Sequence, residues 1–441
     1  MSTTFRPYQP NQLFLLPPSP KDWLREDHLA YFISETVDRL DVSVFYRCYE
    51  GDGRRNCPFD PRMMVKVLLY GYATGVRSSR KIAKKLHEDV AFRVLAAGNF
   101  PAHRTIAEFR QRHLKEFEEL FVQVVQLAQE IGLLKLGTLA LDGSKVKANA
   151  SKRKAMSYGR MKKEERRVRE EIGKLLEQAA AVDAEEDRLY GEEARGDELP
   201  EELRRREDRL AQIEAAQRRL KQRQAAADRA QGRCEGDKRK SPRGGRRFKR
   251  EFGVPEDKAQ ENFTDPDSRI MKSADGFTQA YNTQIAVDEN TQLIVATGLT
   301  QCAADNGELL ALVEEVERIV GEVPEQVLAD AGYKGETNFE QLEHKGIDAY
   351  VSLAREKKKA SSRPDERYPA SQRMYDKLQS STGQMTYRKR KGIVEPVYGW
   401  IKEILGFRRF SLRGTEKVTP EWDLVCCATN LKRLHAMFAW I

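Results

Sequence analysis

The sequence is short of the residues that build most metal and redox centres. It has only six histidines, with no HExxH or other zinc spacing, and its six cysteines (Cys48, Cys57, Cys234, Cys302, Cys426 and Cys427) form no CxxC pair. A zinc site and a disulfide framework are thereby excluded, and the cysteines read as reduced, structural thiols. Adjacent Cys426 and Cys427 fall in an apolar helical pattern, where buried packing is expected. No apolar run approaches the roughly 20 residues that span a bilayer, and the N-terminal MSTTFRPYQP lacks the apolar core of a signal peptide. The expectation is a soluble cytoplasmic protein with no membrane partner.

Net charge is also missing from most of the chain. Outside residues 151 to 250 there are 47 basic and 47 acidic residues, whereas that one segment holds 30 against 21, the whole of the net charge of +9. A basic balance favours a polyanionic partner. The 441 residues exceed one ordinary core and predict two or three domains.

Residues 1 to about 130 read as helical, with prolines as punctuation. Two segments, SSRKIAKKLHEDVAFRVLA and RTIAEFRQRHLKEFEELF, set Arg77, just ahead of the first, with Arg80, Lys81, Lys84 and Lys85 before a turn and Arg104, Arg110 and Arg112 after it. Short helices so charged can set one helix on phosphates and another in a groove; the pattern equally fits a bundle with a solvated basic face. Residues 138 to 148 are strand-like. Strand texture resumes at 276 to 300, where DEN at 288 to 290 marks a hairpin. NGELLALVEEVERIV then predicts a helix, VPEQVLAD a buried strand, NFEQLEHKG a helix and DAYVSL a strand, which together give a mixed α/β sheet.

A long segment of different composition interrupts that pattern. Val168, Ile172, Leu175, Ala179, Val182 and Leu189, with Glu186 in one heptad slot, and then Leu203, Leu210, Ile213 and Leu220, predict two helices in an antiparallel hairpin parted by GEEARGDELP. Positions 233 to 250 follow with nine basic residues and two acids, and read as a phosphate-binding arm including Arg246 and Arg247, or else as a solvated linker.

Three acids stand out. Asp142 in LALDGSK and Asp330 in VLADAG each end an apolar run, so each reads as a carboxylate carried to the solvent end of a buried strand; Glu395, before Pro396, reads as the start of a helix. Taken singly, DG is a routine turn signal and a Glu–Pro pair an ordinary helix start. Taken together, three converging carboxylates repel and become reasonable with divalent metal between them.

The strings LALDGSKVKANASK, ENFTDPDSRIMK, LADAGYKGETN and GIVEPVYGWIKEILGFRRFSLRG, in that order, resemble bacterial insertion-sequence transposases of the DDE type. The stretch from DWLREDHLAYFI to HRTIAEFRQRH resembles the InsH-type N-terminal domain of the same proteins. The resemblance implies an α/β fold: a ribonuclease H-like mixed-sheet catalytic core interrupted by a helical insertion and preceded by an all-α domain. Its expected parts are a DNA-binding domain at 1–130, the first part of the catalytic domain at 131–151, a helical-hairpin insertion with a basic arm at 152–258, and the remainder of the catalytic domain at 259–441. Nothing is carried across for 152–258.

The resemblance places the catalytic, metal-holding acids at Asp142, Asp330 and Glu395, with two Mg²⁺ ions, or Mn²⁺, between them. The family's Tyr, Arg, Glu, Lys signature falls on Tyr387, Arg390 and Lys402, although Arg390 lies five residues before Glu395, one more than the common step, which Lys391 would restore. Both basic residues stay candidates. Lys402 keeps the seven-residue step, two helical turns on; Tyr398 shares its face, a position that fits the core equally well. The implied activity is two-metal cleavage of DNA ends and transfer of 3′-hydroxyls to target DNA. The implied partners are terminal inverted repeats and target DNA, met by a homodimer or higher assembly in the bacterial nucleoid. The alternatives are a metal-dependent nuclease without strand transfer and an inactive relative acting as a DNA-binding regulator.

Overall fold

The computed structural model describes residues 20–49, 58–190, 201–237, 248–273, 276–354 and 363–438, with the backbone alone at 20–21, 178–190 and 201–202. The N-terminal part is helical as expected: α1 (Leu29–Arg39), α2 (Pro61–Ala73), α3 (Ser79–Glu88), α4 (Val90–Leu95), α5 (His103–Arg112) and α6 (Leu114–Glu130). Helix α2 begins where the Asp60 side chain accepts the Met63 amide at 3.0 Å and Pro61 takes the first turn. The segment SSRKIAKKLHEDVAFRVLA is two helices rather than one, because Asp89 breaks it and accepts the Ala91 amide (3.0 Å) as the cap of α4.

The chain after α6 contains β1 (Thr138–Lys147), β2 (Ala155–Ser157), α7 (Tyr158–Tyr190), α8 (Glu201–Ala230), β3 (Gln260–Asn262), β4 (Arg269–Ser273), β5 (Gly276–Asp288), β6 (Ile294–Thr300), α9 (Glu308–Val320), β7 (Gln326–Ala329), α10 (Glu336–His344) and β8 (Asp348–Val351). It ends with α11 (Pro369–Gln379), α12 (Ser381–Gly399) and α13 (Thr415–Phe438). The main sheet runs β4-β5-β1-β7-β8, with β6 on the same edge of β5 as β4. Strand β1 is antiparallel to β5 and parallel to β7, and β7 is parallel to β8. This is the mixed sheet expected from the sequence. The predicted hairpin is β5–β6, its turn held by Asp288 Oδ2, which accepts the Thr291 amide (2.8 Å) and hydroxyl (2.7 Å).

Helix α12 corrects one expectation. It starts at Ser381, where Ser380 Oγ accepts the Gly383 amide at 3.0 Å, so Glu395 lies well inside a helix and not at its start. Pro396 is tolerated there because the Gly392 carbonyl, which a proline four residues on cannot serve, accepts Gln292 Nε2 at 3.2 Å. Beyond Gly399 the chain widens into a π-turn over Trp400–Ile404.

Helix α13 packs on β6, α6 and α2, so the N-terminal helices and the sheet share one continuous hydrophobic core. The Asn430 amide bonds both Ile294 N (2.8 Å) and Ile294 O (2.7 Å), occupying the open edge of β6 as a strand would. Cys426 and Cys427 are buried in α13, and burial pushes both thiols up, in keeping with a packing role. No helix among the described residues is long and apolar enough to cross a membrane.

The interruption is a helical hairpin of α7 and α8. Its antiparallel register is fixed by Gln217 on Glu165 (2.8 Å), Arg169 on Glu214 (2.5 Å) and Arg206 on Glu171 (3.1 Å). Val168, Leu203, Ile213 and Leu220 of the heptad series are buried, and Ala179, Val182, Glu186 and Leu189 lie outside the described side chains. Met156, Tyr158, Met161, Ile213, Ala216 and Leu220 form a separate small core at its base. The ends of the basic stretch are part of the fold: Arg250 pairs with Asp228 at 2.5 Å, and Arg233 donates to the Arg250 carbonyl at 2.7 Å. Arg246 and Arg247 lie outside the described residues.

Candidate active site

Leu139, Ala140 and Leu141 are fully buried, and each pairs with β7, ending at Leu141 opposite Ala329. Asp142 and Asp330 are the next residues on the two chains. They therefore emerge side by side at the carboxyl end of a parallel pair, where α/β sheets place ligands. Asp330 leaves its strand as predicted, its Oδ1 accepting the Gly332 amide (2.7 Å) to cap the 3₁₀ turn Ala331–Tyr333. Asp142 does not end its strand. Strand β1 continues along β5 to Lys147, so the following Gly143 is mid-strand and not a turn. Glycine is needed there for space: a Cβ would stand 2.6 Å from both Asp305 Oδ1 and Gln284 Nε2.

The Asp142 side chain is 22% exposed. Its carboxyl is raised to about 6, chiefly by burial, with Asp330 and Asp305 adding to the rise and Arg390 opposing it. Oδ1 accepts the Gly143 amide at 2.9 Å, and Oδ2 lies 3.6 Å from Arg390 NH1, too far for a hydrogen bond. Arg390 comes from α12 and is 5% exposed; its Nε and NH1 have no hydrogen-bond partner. Burial pulls this guanidinium down, but Asp142, Tyr387 and Asp330 outweigh it and hold the pKa up. Of the two competing basic residues, Arg390 is thus the one turned to Asp142, while Lys391 is exposed on the helix surface.

The same helix brings two further groups to β1. Tyr398 is buried, as core reasoning allowed, and its hydroxyl reaches the backbone carbonyls of Thr283 (2.9 Å) and Asp142 (3.2 Å). Lys402 Nζ donates to Ser144 Oγ; burial lowers its pKa, with Asp142 working against that. Tyr387 is half-buried and hydrogen-bonded to Arg390. Glu395 is exposed on α12, and no three His, Cys, Asp or Glu side chains among the described residues gather closely enough to hold a metal ion. Two of the three acids are therefore together and the third stands apart.

Two half-buried carboxylates at the ends of adjoining strands, one of them pushed toward its neutral form, fit a divalent cation in donor chemistry, because hard oxygen ligands suit Mg²⁺ or Mn²⁺. Sequence reasoning missed Asp305, between β6 and α9, which reaches the back of the site. Its ADNG setting reads as an ordinary turn before a helix, and only the strand order reveals its position.

The N-terminal candidates divide. Arg104 is exposed on the first turn of α5, as are Arg80, Lys81 and Lys84 on α3 and Arg112 at the end of α5. Arg110 is not available to DNA: it is 7% exposed and donates to Tyr72 Oη (3.1 Å) and the Arg77 carbonyl (3.0 Å). It occupies the hydrophobic face of α5, one turn after Ile106. Arg77 in turn donates to the Gly406 carbonyl at 2.7 Å and covers the Phe407 ring, joining the helical part to the end of α12.

Residues 250–431 match the family described as a transposase DDE domain, and residues 18–112 match a transposase domain (DUF772). No curated protein and no solved structure matches the chain. The first match contains Asp330 and Glu395 but begins beyond β1, the strand of Asp142, which the hairpin insertion separates from the rest of its sheet. DDE transposases generally use divalent metal ions and act on DNA. With both transposase domains matched and the mixed sheet in place, the chain belongs to the insertion-sequence DDE transposases, with a ribonuclease H-like catalytic domain.

Proposed function

We propose that this transposase binds the terminal repeats of its element, cuts the phosphodiester bond at each end and joins the freed 3′-hydroxyls to target DNA. The observation that carries the reading is the convergence of Asp142 and Asp330 at the end of the β1–β7 pair, with Arg390 from α12 and Lys402 from the π-turn after it brought to the same strand. Asp142 and Asp330 would hold the divalent metal, while Glu395 stands apart from them on the exposed face of α12. Bound there, divalent metal supplies Lewis-acid polarisation of the phosphate and lowers the pKa of an attacking hydroxyl.

The protein's own groups do the rest. Arg390, with unsatisfied N–H groups, is a donor waiting for an anion and would bind a phosphate oxygen as charge develops on it. Lys402 supplies a second positive charge beside Ser144. Tyr398 fixes the backbone under Asp142 through its hydroxyl, so that the carboxylate is preorganised rather than recruited. Arg80, Lys81, Lys84, Arg104 and Arg112 of the N-terminal helices contact the DNA of the element end, and joining two ends calls for at least a dimer on DNA. Asp330→Ala should abolish transfer of a pre-cleaved end in Mg²⁺ while leaving end binding in gel shifts intact; retained transfer rejects the assignment.

A further inference from the structure

The site has a second face. Along β1 the side chains alternate, so Asp142 and Ser144 meet α12 while Gly143 and Lys145 point to the opposite side of the sheet, toward the loop before α9. Asp305 lies in that loop. Its Oδ1 accepts Asn282 Nδ2 (2.6 Å), Gln284 Nε2 (2.9 Å) and Lys145 Nζ (3.2 Å). Gln284 Oε1 accepts the hydroxyl of buried Tyr333, the last residue of the 3₁₀ turn that Asp330 caps. One hydrogen-bonded chain thus runs from β1 through Asp305 and Gln284 to the turn that carries Asp330.

Two glycines record how tightly this chain is drawn. A Cβ on Gly143, next to Asp142, would meet Asp305 Oδ1 at 2.6 Å; a Cβ on Gly332, two residues after Asp330, would meet Asp305 Oδ2 at 3.0 Å and Asp330 Oδ1 at 2.9 Å. The backbone beside each acid closes on the same carboxylate. We propose that Asp305 is a positioning residue, bracing Asp142 and Asp330 from behind the sheet so that both carboxylates are held at the spacing their metal requires. The inference rests on the reading of Asp142 and Asp330 given above. Asp305 itself is engaged by Lys145 and two amides, and acts through these neighbours rather than on the substrate.

The test uses the full chain, with Mn²⁺ binding followed by electron paramagnetic resonance and the Mg²⁺ concentration for half-maximal cleavage of an end-bearing duplex. Asp305→Ala should weaken Mn²⁺ by about 10- to 100-fold and raise the Mg²⁺ requirement in step, with end binding unchanged. Lys145→Met, which keeps both amide bonds to Asp305, should move both readouts in the same direction by less; it carries the test if Asp305→Ala does not fold. Wild-type Mn²⁺ affinity in a folded Asp305→Ala protein, or in Lys145→Met where that variant carries the test, overturns the bracing role. Asp330→Ala is the control: its loss of Mn²⁺ leaves the site reading standing whatever Asp305 does, whereas wild-type binding there overturns that reading and the brace with it.

Discussion

Two aspartate–arginine pairs in this molecule, each with one buried partner, differ in nearly every respect. At the base of the insertion, Asp228 receives Arg250 through both nitrogens (2.5 and 2.8 Å), the Gly253 amide (2.9 Å) and Gln224 (3.1 Å). Those hydrogen bonds, Arg250's first among them, hold its carboxyl far below the usual range. In the sheet, Asp142 has one backbone amide and an arginine 3.6 Å away whose Nε and NH1 bond nothing, and its carboxyl is raised to about 6. The first pair is saturated and ties a loop to a helix. The second leaves donors and acceptors unused in a buried place, a costly arrangement that makes sense where a ligand completes it.

Matched truncations should pull the pairs apart. Arg390→Met should lower cleavage on the order of a hundredfold through loss of a phosphate donor. It should cost little stability, because Asp142 can take up a proton instead. Arg250→Met should do the reverse: stability falls by about 3 kcal/mol, since buried Asp228 loses its two closest charged hydrogen bonds and keeps only the Gly253 amide, Gln224 and Arg233 at 3.6 Å, with cleavage by the folded fraction unchanged. Urea unfolding and an end-cleavage assay on both variants read the contrast, and equal effects on cleavage would break it.

A third buried acid sharpens what the raised carboxyl means. Asp423 of α13 is raised to about 7 by burial, though the Thr297 hydroxyl bonds it at 2.5 Å. It has no orphaned arginine and is packed against β6, so a raised carboxyl alone does not mark a site. The folded chain keeps this proton to about pH 7 while the unfolded chain releases it near 3.8. Stability from this group is therefore intact below the lower value and declines as pH rises to the higher one, by about 4 kcal/mol in all. Asp423→Asn should stabilise the protein at pH 8 and leave it unchanged near pH 4 in denaturant unfolding.

The smallest effect separates the N-terminal arginines. Arg104→Ala should flatten the salt dependence of end binding by about one counterion, whereas Arg110→Met should lower the melting temperature and leave that slope alone. A reduced slope in Arg110→Met would return it to the DNA surface.

Most of the sheet was legible because β1, β7 and β8 are short apolar runs buried on both faces and the β5–β6 turn carries its own Asx chemistry. What escaped depends on contacts distant in sequence. Gly143 reads as a turn until Gln284 and Asp305 are seen filling the space a side chain would need. Glu395–Pro396 reads as a helix start because nothing local reveals that Gln292 serves the Gly392 carbonyl. Arg110 reads as a DNA contact because its partner Tyr72 lies three helices earlier. The order of Asp142, Asp330 and Glu395 was readable, but that Arg390 and not Lys391 turns toward Asp142 depends on the direction of a helix face, which spacing alone leaves ambiguous by one residue.

If Asp142 and Asp330 are brought together at the strand ends to hold a divalent ion, melting in increasing Mg²⁺ shows it most directly. Wild type should gain stability by about 2.7 kcal/mol at a hundredfold excess over the dissociation constant, while Asp142→Asn stays at its metal-free melting temperature. An equal rise in both proteins would contradict the account.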